Sequence, residues 1–272
     1  MGFLTPQKVR RVTCLAGIMR DLHKFLLFHV LTCLGRNADG SEIINGEEVP
    51  EKSMPYMVSL KNHSGHLCGG FLVSEDFVLT AAHCDLGPMW VVLGIHNLKR
   101  LGGKIRYIEK EYKPTQYDNV GTGKDLMLLK LTEKAEMDNS IQTIPLPSSE
   151  MNIQENKQCR VAGWGSTSTG GKSVDKLRAV NVSLMKRHEC EKKWPNLPLN
   201  VICAGGYPTK QGFCQGDSGG PLVCDGIAVG VVSFNNGGNC SYPDVPNVYT
   251  DIFKYLPWIN NAHFVFQLKK CK

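Results

Sequence analysis

The chain has 272 residues, 42% of them hydrophobic, with 28 Gly and 14 Pro, enough to bury one large core or two moderate ones. Its formal net charge of +6 falls to +3 once the six Lys/Arg and three acidic residues of positions 1–42 are set aside. That excess is too small to argue for a polyanion-binding face, and no nucleic-acid motif supports one. None of the 11 cysteines has the CxxC spacing of a zinc or redox site, so no metal is expected.

The first 42 positions differ from the rest. Met19-Arg20 and Lys24 precede the apolar run Phe25–Leu34, the charged and apolar parts of a signal peptide. The run is too short for a membrane span, which needs about 20 residues. Ala38-Asp39-Gly40 has the small-x-small pattern that signal peptidase prefers, which puts cleavage after Gly40. Residues 1–18 read as an extension or an early start codon. An N-terminal helix of the fold is the rival reading, but no core-facing pattern continues beyond the run. Secretion makes disulfides the expected state of the remaining cysteines, Cys14 and Cys33 leaving with the leader.

Beyond the leader, short segments rich in Val, Ile, Leu and aromatics alternate with turn residues. Tyr56–Leu60, Trp90–Leu93, Gln158–Ala162 and Ile227–Ser233 are predicted as strands. Helical periodicity enters at Asp251–His263, where Ile252, Phe253, Leu256 and Ile259 share one face. The pattern predicts an all-β barrel or sandwich with a closing helix.

Two segments carry chemistry: Leu79-Thr80-Ala81-Ala82-His83-Cys84 and Gly216-Asp217-Ser218-Gly219-Gly220-Pro221. A serine hydroxyl becomes a nucleophile at neutral pH when a neighbouring base takes its proton, and histidine suits that task. A carboxylate must then orient the imidazole, and Lys124-Asp125-Leu126-Met127-Leu128-Leu129 offers one anchored by an apolar run. Glycines around Ser218 let the N–H groups of Gly216 and Ser218 converge on one oxygen, an arrangement worth roughly 3–4 kcal/mol per donor. Gly216-x-Ser218-x-Gly220 also matches the nucleophile elbow of α/β-hydrolases. That reading fails because His83 and Asp125 both precede Ser218, and a helix-breaking Gly-Gly-Pro follows it.

The His, Asp and Ser motifs, in that order, resemble the chymotrypsin/trypsin family of serine proteases over residues 43–262. The resemblance implies an all-β fold of two six-stranded antiparallel β-barrels, about 43–150 and 151–250, with a closing helix at 251–262 and a tail at 263–272. His83 and Asp125 would stand on the first barrel and Ser218 on the second, with protein or peptide substrates and no cofactor. It pairs Cys68 with Cys84, Cys159 with Cys224, Cys190 with Cys203 and Cys214 with Cys240. Cys271 is left free or intermolecular. Ile43-Ile44-Asn45-Gly46 resembles a mature N-terminus whose α-amino group pairs with Asp217 and orders the oxyanion hole.

Glu42, not Lys or Arg, precedes Ile43, so cleavage after Gly40 leaves the dipeptide Ser41-Glu42. That dipeptide resembles the leader of granzymes and of leukocyte granule proteases, as do Val49, Pro55–Val58 and Leu256–Ile259 more weakly. The resemblance implies granule storage, and with it serpin-type inhibitors and granule proteoglycan as partners. A digestive or plasma protease is the alternative. A catalytically inactive binding protein of the same fold would have lost a triad residue, whereas all three are present.

The specificity pocket is read by offset from Ser218. Gly212 stands where trypsin-like members hold an acid, so a Lys or Arg side chain would be buried unpaired. Phe213, Ser233, Asn235 and Asn247 complete the expected pocket, narrow and uncharged, for small or medium aliphatic residues such as Leu or Met. Two arrangements stay open: Phe213 beside the pocket, or Phe213 in the core with the asparagines facing solvent. Ser233-Phe234-Asn235 resembles the strand that pairs with substrate backbone. Asn62, Asn181 and, less favourably, Asn239 head N-x-Ser glycosylation motifs.

Overall fold

A computed structural model describes residues 43–87, 89–148, 154–242 and 244–262. The expected leader, the Ser41-Glu42 dipeptide, the tail with Cys271, and residues 149–153 of the predicted crossover near 145–155 lie outside the described residues. The chain begins with a two-residue strand β1 (Glu47–Glu48), and two antiparallel barrels follow.

β2 (Met57–Asn62), β3 (Gly65–Ser74), β4 (Phe77–Thr80), β5 (Trp90–Leu93), β6 (Lys104–Tyr112) and β7 (Met127–Leu131) close in the order β2-β3-β4-β7-β6-β5. β8 (Gln158–Gly163), β9 (Arg178–Met185), β10 (Val201–Gly206), β11 (Pro221–Cys224), β12 (Ile227–Phe234) and β13 (Pro246–Asp251) form the second ring, β9-β10-β13-β12-β11-β8, closed by the β8–β9 pairing. Closure removes the unpaired edges that an open sheet would expose. The four strands predicted from sequence lie within a residue or two of β2, β5, β8 and β12.

Each barrel is filled by its own apolar side chains. Phe71, Leu72, Leu79, Leu93 and Leu128 are buried in the first, and Val161, Val182, Leu222 and Tyr249 in the second. Each such side chain contributes about 1.5–3 kcal/mol over its exposed state. Four disulfides join Cys68–Cys84, Cys159–Cys224, Cys190–Cys203 and Cys214–Cys240, the pairs implied by the resemblance.

Two local departures have physical causes. β1, which falls in the range expected for the first barrel, instead pairs with β9 of the second, Glu47 opposite Ala179 and Glu48 opposite Arg178. Burial of Ile43 among second-barrel side chains draws the segment there. Sequence reading also missed helix α1 (Arg187–Lys193), where only Cys190 is buried, too little for an apolar periodicity to register. At the C-terminus the predicted helix starts as a 3₁₀ turn, Phe253–Tyr255, and continues as α-helix through 256–262. Its Tyr255, Ile259 and Ala262 pack into the first barrel's cluster, so the end of the second barrel is anchored on the first.

Candidate active site

Strand pairing sets His83 beside Asp125. β4 and β7 run antiparallel with Thr80 opposite Met127. The chain leaving β4 and the chain entering β7 therefore emerge side by side. His83 lies in the 3₁₀ turn Ala82–Cys84 after β4, tied down by the Cys68–Cys84 disulfide to β3. Asp125 immediately precedes the apolar run of β7, whose burial pulls the acid inside with it.

Fully buried Asp125 is satisfied on every side. Oδ1 accepts the His83 backbone N–H at 2.9 Å. Oδ2 lies 2.7 Å from His83 Nδ1 and accepts the Ser233 hydroxyl at 2.5 Å. The Thr250 hydroxyl donates to the Asp125 carbonyl at 2.8 Å. A carboxylate that accepts from the His83 backbone and the Ser233 hydroxyl and faces Nδ1 makes Nδ1 the protonated ring nitrogen and leaves Nε2 of the half-buried His83 as the proton acceptor.

The Ser218 loop is held from both barrels. Gly69 N–H of β3 donates to the Ser218 carbonyl at 2.8 Å. On the other side Gly219 N–H donates to the Val232 carbonyl at 2.9 Å, and Val232 N–H to the Gly220 carbonyl at 2.9 Å. Ser233 is the next residue of β12, so the strand that fixes the serine loop also reaches Asp125. Gly216 has φ +94°, a left-handed conformation that glycine adopts without strain. Its carbonyl accepts from His66 Nε2 at 3.0 Å, while His66 Nδ1 lies 2.8 Å from the Ser59 hydroxyl. Burial pushes the His66 pKa down to about 4, so the ring is neutral.

Asp217 is also fully buried. Oδ1 accepts from Gly165 N–H at 2.8 Å and Oδ2 from Cys214 N–H at 2.9 Å. Desolvation nevertheless raises its pKa to about 7, the two backbone donors offsetting only part of it. Ile43 is buried in the second core, and Ile44 forms an antiparallel bridge with Gly212.

The expected pocket residues divide. Gly212 and Asn247 stand side by side, so that a Cβ on Gly212 would overlap Asn247 Oδ1, and Asn235 is half-buried. Phe213 does not line the pocket with its side chain. Its ring lies in the second core, edge-on to Tyr249 with centroids 5.2 Å apart, because apolar burial there outweighs exposure beside a polar pocket. Its backbone N–H donates to Asn247 Oδ1 at 3.2 Å instead. The Ser233 hydroxyl is likewise turned away from the pocket, to Asp125. Sequence reasoning missed Ser233 as a partner of the acid, and missed Thr250, His66 and Tyr242 altogether. Only the Ser233-Phe234-Asn235 resemblance pointed toward any of them. Cys68, His83 and Cys84 lie close enough to suggest a metal cluster, but both sulfurs are spent in a disulfide.

The fold and these motifs have extensive parallels. The trypsin family model matches residues 43–259. Duodenase-1 of Bos taurus is 36% identical, over 87% of this chain and 95% of its own. Granzyme B(G,H) of Mus musculus is 38% identical, over 88% of this chain and 98% of its own. Among solved structures, neuropsin, a serine protease expressed in the limbic system of mouse brain, superposes with a TM-score of 0.75 at 31% identity, covering 81% of this chain and all of its own. With two closed barrels, a buried acid on a histidine and relatives of this similarity, the chain belongs to the trypsin family of serine proteases, related to granzymes.

Proposed function

We propose that this serine endopeptidase uses Ser218 as nucleophile, His83 as general base and Asp125 as the group that orients the base. The Ser218 oxygen attacks the scissile carbonyl carbon while its proton passes to His83 Nε2. The N–H groups of Gly216 and Ser218 hold the resulting oxyanion. Collapse breaks the C–N bond, His83 returns the proton to the leaving amine, and an acyl ester remains on Ser218. Water then attacks by the same route and frees the acid product. The observation that carries this reading is the pair of bonds from Asp125 to His83, which fixes the ring tautomer that base catalysis needs.

The remaining assignments follow from the same frame. Residues 1–40 are a secretory leader, 41–42 an activation dipeptide and 43–262 the peptidase. Freeing Ile43 supplies the cation that buried Asp217 lacks among the described residues. The pocket of Gly212, Asn235 and Asn247 takes uncharged P1 residues, since the groups nearest a Gly212 side chain among the described residues are the Asn247 amide and the Tyr242 ring. Storage in granules, serpin-type inhibitors and granule proteoglycan follow from the granzyme relationship. Asn181, exposed on β9, is the better placed glycan acceptor; Asn62 closes β2 with its side chain holding Ser64 N–H at 2.9 Å.

A fluorophosphonate probe tests the triad. The chain trimmed to begin at Ile43 should label and Ser218→Ala should not; absence of labelling in the trimmed chain favours the inactive binding protein. A P1 peptide library tests the pocket, and strong cleavage after Lys or Arg refutes it. A mature, active form that starts upstream of Ile43 refutes the dipeptide route.

A further inference from the structure

Tyr242 follows the Cys214–Cys240 disulfide by two residues, and nothing in its sequence context marks it. It is 2% exposed, with a left-handed φ of 48° that residues other than Gly and Asn rarely adopt. Its ring packs with the disulfide and Ile44. Its hydroxyl donates to the Phe213 carbonyl and is flanked by the amides of Asn247 and Asn235.

The position of that ring matters. A Cβ built on Gly212 would stand 3.2 Å from Tyr242 Cζ. The phenol tip therefore occupies the space into which a side chain at position 212 would project. Asn247 Oδ1 closes the adjoining space through its bond to Phe213 N–H. Behind them, Tyr249 OH is buried with no hydrogen-bond partner among the described residues. The floor is thus an aromatic ring backed by neutral amide and phenol groups, and the nearby Asp217 carboxylate is fully buried and taken up by the Gly165 and Cys214 N–H groups.

We propose that Tyr242 sets the depth of the primary pocket, so that the enzyme takes small and branched uncharged P1 residues (Ala, Val, Thr) and refuses aromatic and long ones. This rests on the reading that Gly212, Asn235 and Asn247 line that pocket, and it trims the range from the long end. The ring's packing on Ile44 also seats the plug on the segment next to the proposed new N-terminus.

The test uses the chain matured to Ile43 and peptide substrates that differ only at P1, Val against Phe. Wild type should show a kcat/KM at least about tenfold higher for Val, the scale expected when one side chain fits and the other does not. Tyr242→Ala should shift the Phe-to-Val ratio by about tenfold or more toward Phe. Tyr242→Phe, which keeps the ring and loses only the hydroxyl, should retain the wild-type order, and it serves if the alanine variant does not fold. Fluorophosphonate labelling of Ser218 requires no P1 side chain and reports the triad separately. A labelled wild type that cleaves after Phe as well as after Val overturns the plug and leaves the triad standing. A wild type that does not label overturns the catalytic reading instead.

Discussion

Asp125 holds His83 at two points, the ring Nδ1 at 2.7 Å and the backbone N–H at 2.9 Å. The second bond fixes where the residue sits and the first fixes which ring nitrogen is protonated. Asp125→Asn should preserve the position and lose the tautomer, because an amide nitrogen facing Nδ1 can only donate. The expected loss in kcat is about 10⁴-fold, the magnitude characteristic of this triad. Steady-state kinetics on a peptide substrate measures it, with an unchanged melting temperature confirming that the fold survives.

Ser233 adds a third donor to the same carboxylate, 2.5 Å from Oδ2. Ser233→Ala leaves Asp125 with both His83 bonds, so its effect should be far smaller than that of Asp125→Asn. A lost hydrogen bond to a charged group is worth about 1.5–3 kcal/mol, which corresponds to roughly 10–150-fold if all of it is felt in the transition state. A kcat equal to wild type would assign Ser233 to packing alone.

These partners divide by how they are encoded. The proposed triad is legible because each member stands in a segment with a second distinctive demand: buried Ala81 and Ala82 before His83, the apolar β7 after Asp125, glycines around Ser218. Ser233 and Thr250 are ordinary strand residues on β12 and β13, and only the pairing of the two barrels brings them to Asp125. The barrels themselves are legible as short apolar segments between turns, whereas the transfer of β1 to the second sheet depends on where Ile43 is buried. The Phe213 ring is ambiguous in one dimension, since an apolar residue beside a pocket position suits a pocket wall and a core equally well.

Burial raises Asp217 to a pKa of about 7 when residue 43 is not a chain terminus. An acid whose folded pKa is raised holds its proton more tightly in the native state. The uncleaved chain should therefore lose stability as pH rises from about 4 to about 7, and Asp217→Asn should remove that slope. In the proposed matured chain the freed Ile43 α-amino group, ordinarily titrating near 8, would pair with Asp217 only while protonated. Activity should then fall as pH rises and that amine loses its proton. Thermal melts of the uncleaved pair and a pH–rate profile of the mature enzyme check the two halves.

His66 works in the opposite sense. Its pKa is depressed to about 4, chiefly by desolvation, with Lys61 nearby adding to the effect. The unfolded chain takes up a proton near pH 6.5 that the native state refuses until about 4. The contribution is therefore full above pH ~6.5 and is lost as pH falls from there toward 4. His66→Gln keeps a donor for the Gly216 carbonyl and should flatten this part of the melting curve. A wild-type-like acid slope in the variant would place the sensitivity elsewhere.

Gly212 invites a substitution that the structure argues against. Placing Asp there restores the acid that trypsin-like members carry, and on sequence grounds it should confer cleavage after Lys and Arg. A Cβ at this position, however, overlaps Asn247 Oδ1 and reaches 3.2 Å from the Tyr242 ring. The carboxylate would enter a space already filled, displacing the bond from Phe213 N–H to Asn247 at 3.2 Å and leaving a buried anion without a cation. Gly212→Asp should therefore destabilise the protein by several kcal/mol, since an uncompensated buried charge adds to the overlap. No Lys or Arg cleavage should be gained. Combining it with Asn247→Gly and Tyr242→Ala removes both obstructions, and Lys or Arg cleavage should then appear. A single Gly212→Asp variant that melts like wild type and cleaves after Arg would mean that Asn247 and Tyr242 do not occupy the pocket floor in solution.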